Sequence, residues 1–447
     1  MSRIALIGMN SISYISHLLD IWSNGDCAVL IDWHIPYQTA IEMMKEANVK
    51  KCYLQDGLWN GEHLDADANI TVSPYKTSGE LTFTLQSHIY EKFHANYSQS
   101  EAVIIYSSGT TGKSKGVILS HFAINTNADA IIEYMNLTTQ DCIYTIRPLS
   151  HSSTLTGELL VALKTHTRLL VTTYAVPPRY ILDSVKTNNV TILCLNPTLL
   201  SFLCDELSKK SYCISSLRVI YSSGAILSDS IYKNAKTTLN NTLVYNAYGL
   251  SETSPRLTVQ TTDSCNTNSV GRPIKGVEIA IIDENGKKVS SGERGIVHVK
   301  TPCLFSGYVV GGLKHKSLCD GWFNTGDIGF FDEFGELHIV GRIDDMIICD
   351  AHKVYPLDIE RRVMEVPGVI DCAVSKCTYN GVNMIGCIYV ARSDSTMNII
   401  KYLKKNLLPY EIPKRVLAVQ SIPYNNRGKK DRVQIEKALS EKTQKEI

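Results

Sequence analysis

Short apolar runs alternate with amphipathic stretches from the first residues of the chain. Residues 3–8 read as a strand, 11–23 as a helix ending before Gly25, and 27–31 as a strand again; a helix at 37–47 and a strand at 51–54 continue the series. Strand-like runs recur at 102–106, 167–172, 190–195 and 217–221, each beside a helical pattern. Such alternation favours parallel sheets whose crossover helices cover both faces. From about Val277 the texture shifts to short alternating strands, with turns at Asn285-Gly286 and around residues 332–336. After Gly341-Arg342 the chain passes a polar Asp344-Asp345 pair into a last unit, with helices at 356–365 and 397–406 and strands at 369–375 and 384–391. The fold class expected is therefore α/β. A large multi-subdomain body of layered parallel and mixed sheets (residues 1–343), with a small β subdomain, precedes a small mobile α+β domain (344–447).

The 447 residues, 44% hydrophobic and 20% charged, lie within the globular range, and a formal charge of +1 gives no footing for a nucleic-acid partner. The beginning of the chain is apolar too briefly for a signal peptide, and the greasiest stretch, 159–170, is broken by Lys164, His166 and Arg168, so a cytoplasmic protein without membrane insertion is expected. Thirteen cysteines without Cys-x-x-Cys spacing read as reduced thiols filling core volume, and twelve histidines without clustering offer no structural zinc.

The strongest local signal follows the strand at 102–106: Tyr106-Ser107-Ser108-Gly109-Thr110-Thr111-Gly112-Lys113-Ser114-Lys115-Gly116. A loop rich in glycine and hydroxyls, with two ammonium groups, suits a polyphosphate. It is not a Walker loop, which needs four residues between its glycines where Gly109 and Gly112 enclose two. Alone it would be as readily a plain surface loop. Four more segments follow in order: Tyr248-Gly249-Leu250-Ser251-Glu252-Thr253, Gly321-Trp322-Phe323-Asn324-Thr325-Gly326-Asp327, Gly341-Arg342-Ile343-Asp344-Asp345, and Asn426-Arg427-Gly428-Lys429-Lys430-Asp431-Arg432.

Together these five segments resemble the adenylate-forming superfamily of acyl- and aryl-CoA synthetases, carrier-protein ligases, peptide-synthetase adenylation domains and luciferases. The likeness covers nearly the whole chain, beginning at residues 4–30, which resemble the family's early strand, helix and strand, before which members usually carry a further short subregion. It implies ATP and Mg²⁺, and activation of a small carboxylic acid as acyl-AMP with release of pyrophosphate. In the phosphate loop, Ser107, Thr110, Thr111 and Lys115 would hold the β- and γ-phosphates, with Ser108, Gly109 and Gly112 completing the cradle. Tyr248 would stack on adenine opposite Gly224-Ala225, beside Gly249, with Asn246 at the base edge. Ser251 would act near the α-phosphate, and Glu252 would carry Mg²⁺. Asp327 would accept both ribose hydroxyls through two free carboxylate oxygens, assisted by Arg342. Lys429 would be catalytic, reaching between the acid and the α-phosphate, and Asp344 would be the hinge of the mobile domain.

The acid pocket falls by the same likeness around residues 147–153, 221–223 and 245–247, with His151 near its entrance, although a packed histidine would look the same. No aspartate stands in the first segment to pair with an α-ammonium, which favours an aromatic or fatty acid over an amino acid. The acceptor would be a thiol, CoA or the phosphopantetheine of an acyl or aryl carrier protein. Ala351 replaces a usual glycine on the thiol's route. Transfer to an amine, and a degenerate nucleotide-binding scaffold, are the competing readings.

Overall fold

Strand Arg3–Ile7 pairs in parallel with Cys27–Ile31 on one side and Lys51–Gln55 on the other, the connections being helices Ile12–Ser23 and Tyr37–Glu46. This is the arrangement the alternation predicts. The computed structural model describes residues 1–59, 70–108, 114–173, 176–264, 269–310, 318–349, 352–379, 382–424 and 430–441. The first helix starts where Ser11 accepts the backbone N–H of Tyr14 at 3.0 Å, an N-cap satisfying one orphan donor. Gly25 follows it at φ +74°, which a side chain would disfavour.

Two large sheets form the body. The first has the order Gly307–Tyr308, Ser114–Ser120, Glu101–Ser108, Cys27–Ile31, Arg3–Ile7, Lys51–Gln55, Thr71–Tyr75. In the second, Leu243–Gly249, Val219–Ser223, Ile192–Leu195, Cys142–Thr145 and Arg168–Thr172 run parallel, and antiparallel strands close both ends. The sheets are thus mixed, because hairpin partners such as Ser114–Ser120 extend a parallel centre. Their facing sides share one core, to which Leu6, Leu30, Ile105, Val171, Tyr221 and Leu257 contribute together with helix His121–Met135. Period-two alternation sends Ala5, Ile7, Val29 and Ile31 to the opposite face, where Ala40 and Met44 of the second helix cover them. The helical run at 152–165 includes a π-helical turn, Leu155–Leu160. A third, antiparallel sheet contains Glu278–Ile282, Gly295–Lys300, Trp322–Phe331 and Leu337–Arg342, with the two expected turns between successive strands.

Residues beyond Ile347 build their own hydrophobic clusters. Strands Val369–Tyr379 and Val382–Ala391 are antiparallel, Arg415–Ala418 joins the second in parallel, and helices Pro356–Met364 and Thr396–Asn406 pack beside them. Polar contacts tie this unit to the body, among them Arg294 to Asp358 at 2.6 Å and Arg361 to the Ile339 carbonyl at 2.7 Å. No helix among the described residues is long and apolar enough to cross a membrane. Nine of the described cysteines are buried free thiols, as expected of core residues.

Candidate active site

The phosphate-type loop is the connection of a hairpin. Strands Glu101–Ser108 and Ser114–Ser120 pair with Ser107 opposite Lys115, and Ser107 Oγ lies 3.5 Å from the Lys115 carbonyl. Gly109, Thr110, Thr111 and Gly112, and the side chain of Ser108, lie outside the described residues. The hairpin's outer strand also pairs with Gly307–Tyr308, which puts the Tyr308 ring 5.7 Å from Lys115 Nζ. The Tyr308 hydroxyl donates to Glu252 Oε1 at 2.9 Å. Burial, then the Glu252 carboxylate, push the Tyr308 pKa up, so the phenol stays a donor. Tyr308 thus joins the expected phosphate lysine to the expected metal ligand. It lies outside all five motifs, and only the sheet pairing reveals it.

Glu252 is a fit for a hard divalent cation: a hard carboxylate linked through Tyr308 to Lys115 on the outer strand of the hairpin. Among the described residues no cluster of three His, Cys, Asp or Glu accompanies it, so a metal held there would take its remaining ligands from phosphate oxygens and water.

The second cluster gathers around Asp327. Strand pairing sets it opposite Arg342, whose Nη1 donates to Oδ1 at 3.0 Å, while the Tyr248 hydroxyl donates to Oδ2 at 2.5 Å. Both oxygens are therefore engaged, contrary to the expectation of two free acceptors. A carboxylate oxygen can in general accept more than one hydrogen bond, so this engagement does not conflict with a ribose-binding role. Burial and the adjacent Asp327 hold the Tyr248 pKa well above its ordinary value. Gly224 and Ala225 are exposed, and the position of a Cβ at Gly224 meets nothing within 4 Å. Asn246 is placed differently from expectation. It is buried, its Nδ2 donates to the Ser269 carbonyl at 3.0 Å, and its oxygen accepts the Ala247 N–H, so it braces the strand end.

Gly249 is a glycine by necessity, since a Cβ there would sit 1.8 Å from the Pro255 carbonyl oxygen. This close approach accompanies a bulge in the pairing and turns the chain into the short helix Ser251–Thr253. Ser251 Oγ lies 3.3 Å from Ser152 Oγ, at the start of the 152–165 helical run. His151, one residue earlier, lines a narrow cleft with Ile31, Asp32, Tyr106 and Ser150. The buried Asn10 holds this segment by donating to the Arg147 carbonyl and accepting the Leu149 N–H.

Below Ser152 lies a polar group that the motifs do not disclose. Glu158, with no exposed surface, pairs with Arg147 at 2.9 Å, and Arg256, 4% exposed, stands near them. A glutamate immediately before the greasiest stretch and an arginine opening an apolar strand are the sequence signals that could have marked them.

Lys429 lies outside the described residues, yet its flank is firmly held. Lys430 Nζ reaches Glu360 Oε2 at 2.7 Å and the Cys372 carbonyl, and Arg432 Nη1 reaches Glu360 Oε1 at 2.8 Å. Burial opposes ionisation of Glu360, but Lys430 and Arg432 overcome it and bring its pKa down to about 2. The adjacent acids Asp344, the expected hinge residue, and Asp345 face opposite ways: Asp344 lies 4.0 Å from Arg342, and Asp345 lies 3.8 Å from Arg432.

Comparison with known proteins agrees with this geometry. The family profile described as AMP-binding enzyme matches residues 1–309. The 2-succinylbenzoate–CoA ligase of Bacillus cytotoxicus is 26% identical over 456 residues, covering 98% of this chain and 89% of the relative. ATP-bound MatB from Rhodopseudomonas palustris shares the fold at a TM-score of 0.87 and 24% identity, covering 98% of this chain and 89% of that one. The o-succinylbenzoate coenzyme A synthetase MenE from Bacillus subtilis, in complex with ATP and magnesium ion, does so at 0.81 and 21%, with 97% and 89% covered. With motif order, fold and profile in agreement, the chain belongs to the AMP-binding enzyme family.

Proposed function

We propose that this enzyme is an AMP-forming acid–thiol ligase using ATP and Mg²⁺. The observation that carries the reading is the convergence of two clusters from distant segments, Lys115–Tyr308–Glu252 and Tyr248–Asp327–Arg342, on either side of Ser251. The first would meet the polyphosphate and the second the nucleoside. A substrate carboxylate oxygen attacks the α-phosphorus of ATP, the bond to the bridging oxygen breaks, and pyrophosphate leaves. Magnesium, when bound, neutralises phosphate charge at Glu252. Tyr308 orients Glu252, Ser251 supplies a hydroxyl donor, Lys115 a cation, and Lys429 a cation where negative charge builds.

In the second step a thiol attacks the acyl carbon, AMP leaves, and the thiol proton passes to solvent. CoA is the acceptor favoured, in keeping with the names of the relatives. The acid is a small organic carboxylate, and the division into an adenylating body and a cap near Asp344 follows the separate hydrophobic clusters beyond Ile347. The test is pyrophosphate release over a panel of aryl, fatty and amino acids with ATP and Mg²⁺, followed by thioester formation on adding CoA. Release that no acid stimulates, or ADP as product, would overturn the reading.

A further inference from the structure

The polar group below Ser152 has an excess of positive charge. Arg256 is 4% exposed, and neither its Nε nor its Nη1 has a hydrogen-bond partner among the described residues. The carboxylate nearby, Glu158, is engaged through Oε1 by Arg147, while its Oε2 has no hydrogen-bond partner among the described residues, so one acid stands beside two guanidinium groups without satisfying Arg256. Burial raises the Glu158 pKa, with Arg147 and Arg256 opposing, so protonation of this acid would only increase the excess. Tyr134, which feels the charge of Arg256, has a buried hydroxyl likewise without a partner, and burial pushes its pKa up to about 12, leaving it a donor. An isolated buried guanidinium is costly, and an anion is its natural complement.

The helical run beginning at Ser152 connects this group to the reacting end. Ser152 touches Ser251, while five residues on, a Cβ at Gly157 would lie 3.8 Å from Arg256 Nη2. Five helical residues advance ~7 Å along the axis. The glycine at 157 keeps the helix surface low beside the guanidinium.

We propose that Arg256 binds a second carboxylate of the acid substrate, so that the enzyme prefers a dicarboxylic acid whose two carboxyl groups stand ~7 Å apart. This rests on the reading of Ser251 and Glu252 as the reacting end. Arg256 is then a specificity residue, with the Tyr134 hydroxyl as a second donor, and the Arg147–Glu158 pair keeps the neighbouring charge balanced.

The experiment compares kcat/KM for pyrophosphate release by the whole protein on four- to eight-carbon straight-chain diacids, an aryl diacid and the monomethyl ester of each. The expected result is a preference of at least ~10²-fold for the best diacid over its ester, a lower bound against the ~10⁴- to 10⁵-fold by which a site built to bind a polar group rejects an analogue lacking it. The straight-chain optimum should fall at about six or seven carbons, matching the ~7 Å span. Arg256→Met should bring diacid and ester within a few-fold of one another, and Arg256→Lys should keep part of the preference. Equal use of diacid and ester by the wild type, or an undiminished preference in Arg256→Met, overturns the proposal while leaving the ligase reading intact. Should Arg256→Met fail to fold, the wild-type diacid-to-ester ratio decides alone. Failure of every acid to release pyrophosphate removes the ligase reading, and this inference with it.

Discussion

Lys429 and Gly249 show how differently single residues can matter. Lys429 is named by its motif, and Lys429→Ala is expected to lose ~10²-fold or more in acid-dependent pyrophosphate exchange, the effect of deleting one well-placed transition-state donor. Near-normal exchange would remove it from the chemistry. Gly249 acts through space: the Pro255 carbonyl occupies the place of its Cβ, so Gly249→Ala must move backbone. A loss of ~1–3 kcal/mol in urea unfolding is expected, together with a higher KM for ATP because the bulge aims Tyr248 and Ser251. Both glycine and lysine stand in legible motifs. Tyr308 and Arg256 do not, since their importance arises from neighbours far away in sequence, and Glu158 is outside the motifs although its partner Arg147 opens the segment expected to line the acid pocket.

Among the elements, the segment next to Lys429 depends on one buried acid. Glu360 on helix Pro356–Met364 holds Lys430, Arg432 and the Val374 N–H together. Glu360→Gln should cost ~2–3 kcal/mol at neutral pH, because two part-buried cations lose their nearest counter-charge and keep only the 3.8 Å contacts to Asp371 and Asp345. Its folded pKa of about 2 lies below the ordinary 4.5. The stability it supplies is therefore complete above 4.5 and lost as pH falls toward 2. Urea melts of wild type and Glu360→Gln should accordingly converge over that interval; a gap independent of pH would mean that shape, not charge, is what the glutamate provides. Most elements around this one were legible: helix Pro356–Met364 and strand Cys27–Ile31 stand where periodicity sets them. The π-helical turn Leu155–Leu160 was not, because its apolar pattern fits an ordinary helix as well.

For the whole molecule, the acid pair at the proposed hinge residue Asp344 offers the clearest test. Asp344 leans toward Arg342 of the body and Asp345 toward Arg432 of the cap, so rotation between them would exchange partners. Asp344→Pro fixes φ at the hinge and should leave pyrophosphate exchange within a few-fold while lowering CoA thioester formation at least ~10-fold. Equal effects on both half-reactions would argue against a swinging cap. The sequence by itself determined the alternating α/β body, the order of the five motifs and hence the adenylate-forming family, because periodicity and motif spacing are local properties that survive in one dimension. Only the tertiary structure decided that Tyr308 links Lys115 to Glu252, that Asp327 is already held by Tyr248 and Arg342, that Asn246 braces a strand, and that Arg256 is buried with its Nε and Nη1 unpartnered among the described residues. Those outcomes depend on sheet register and on which charges share a low-dielectric interior, and both are set by packing between segments up to two hundred residues apart.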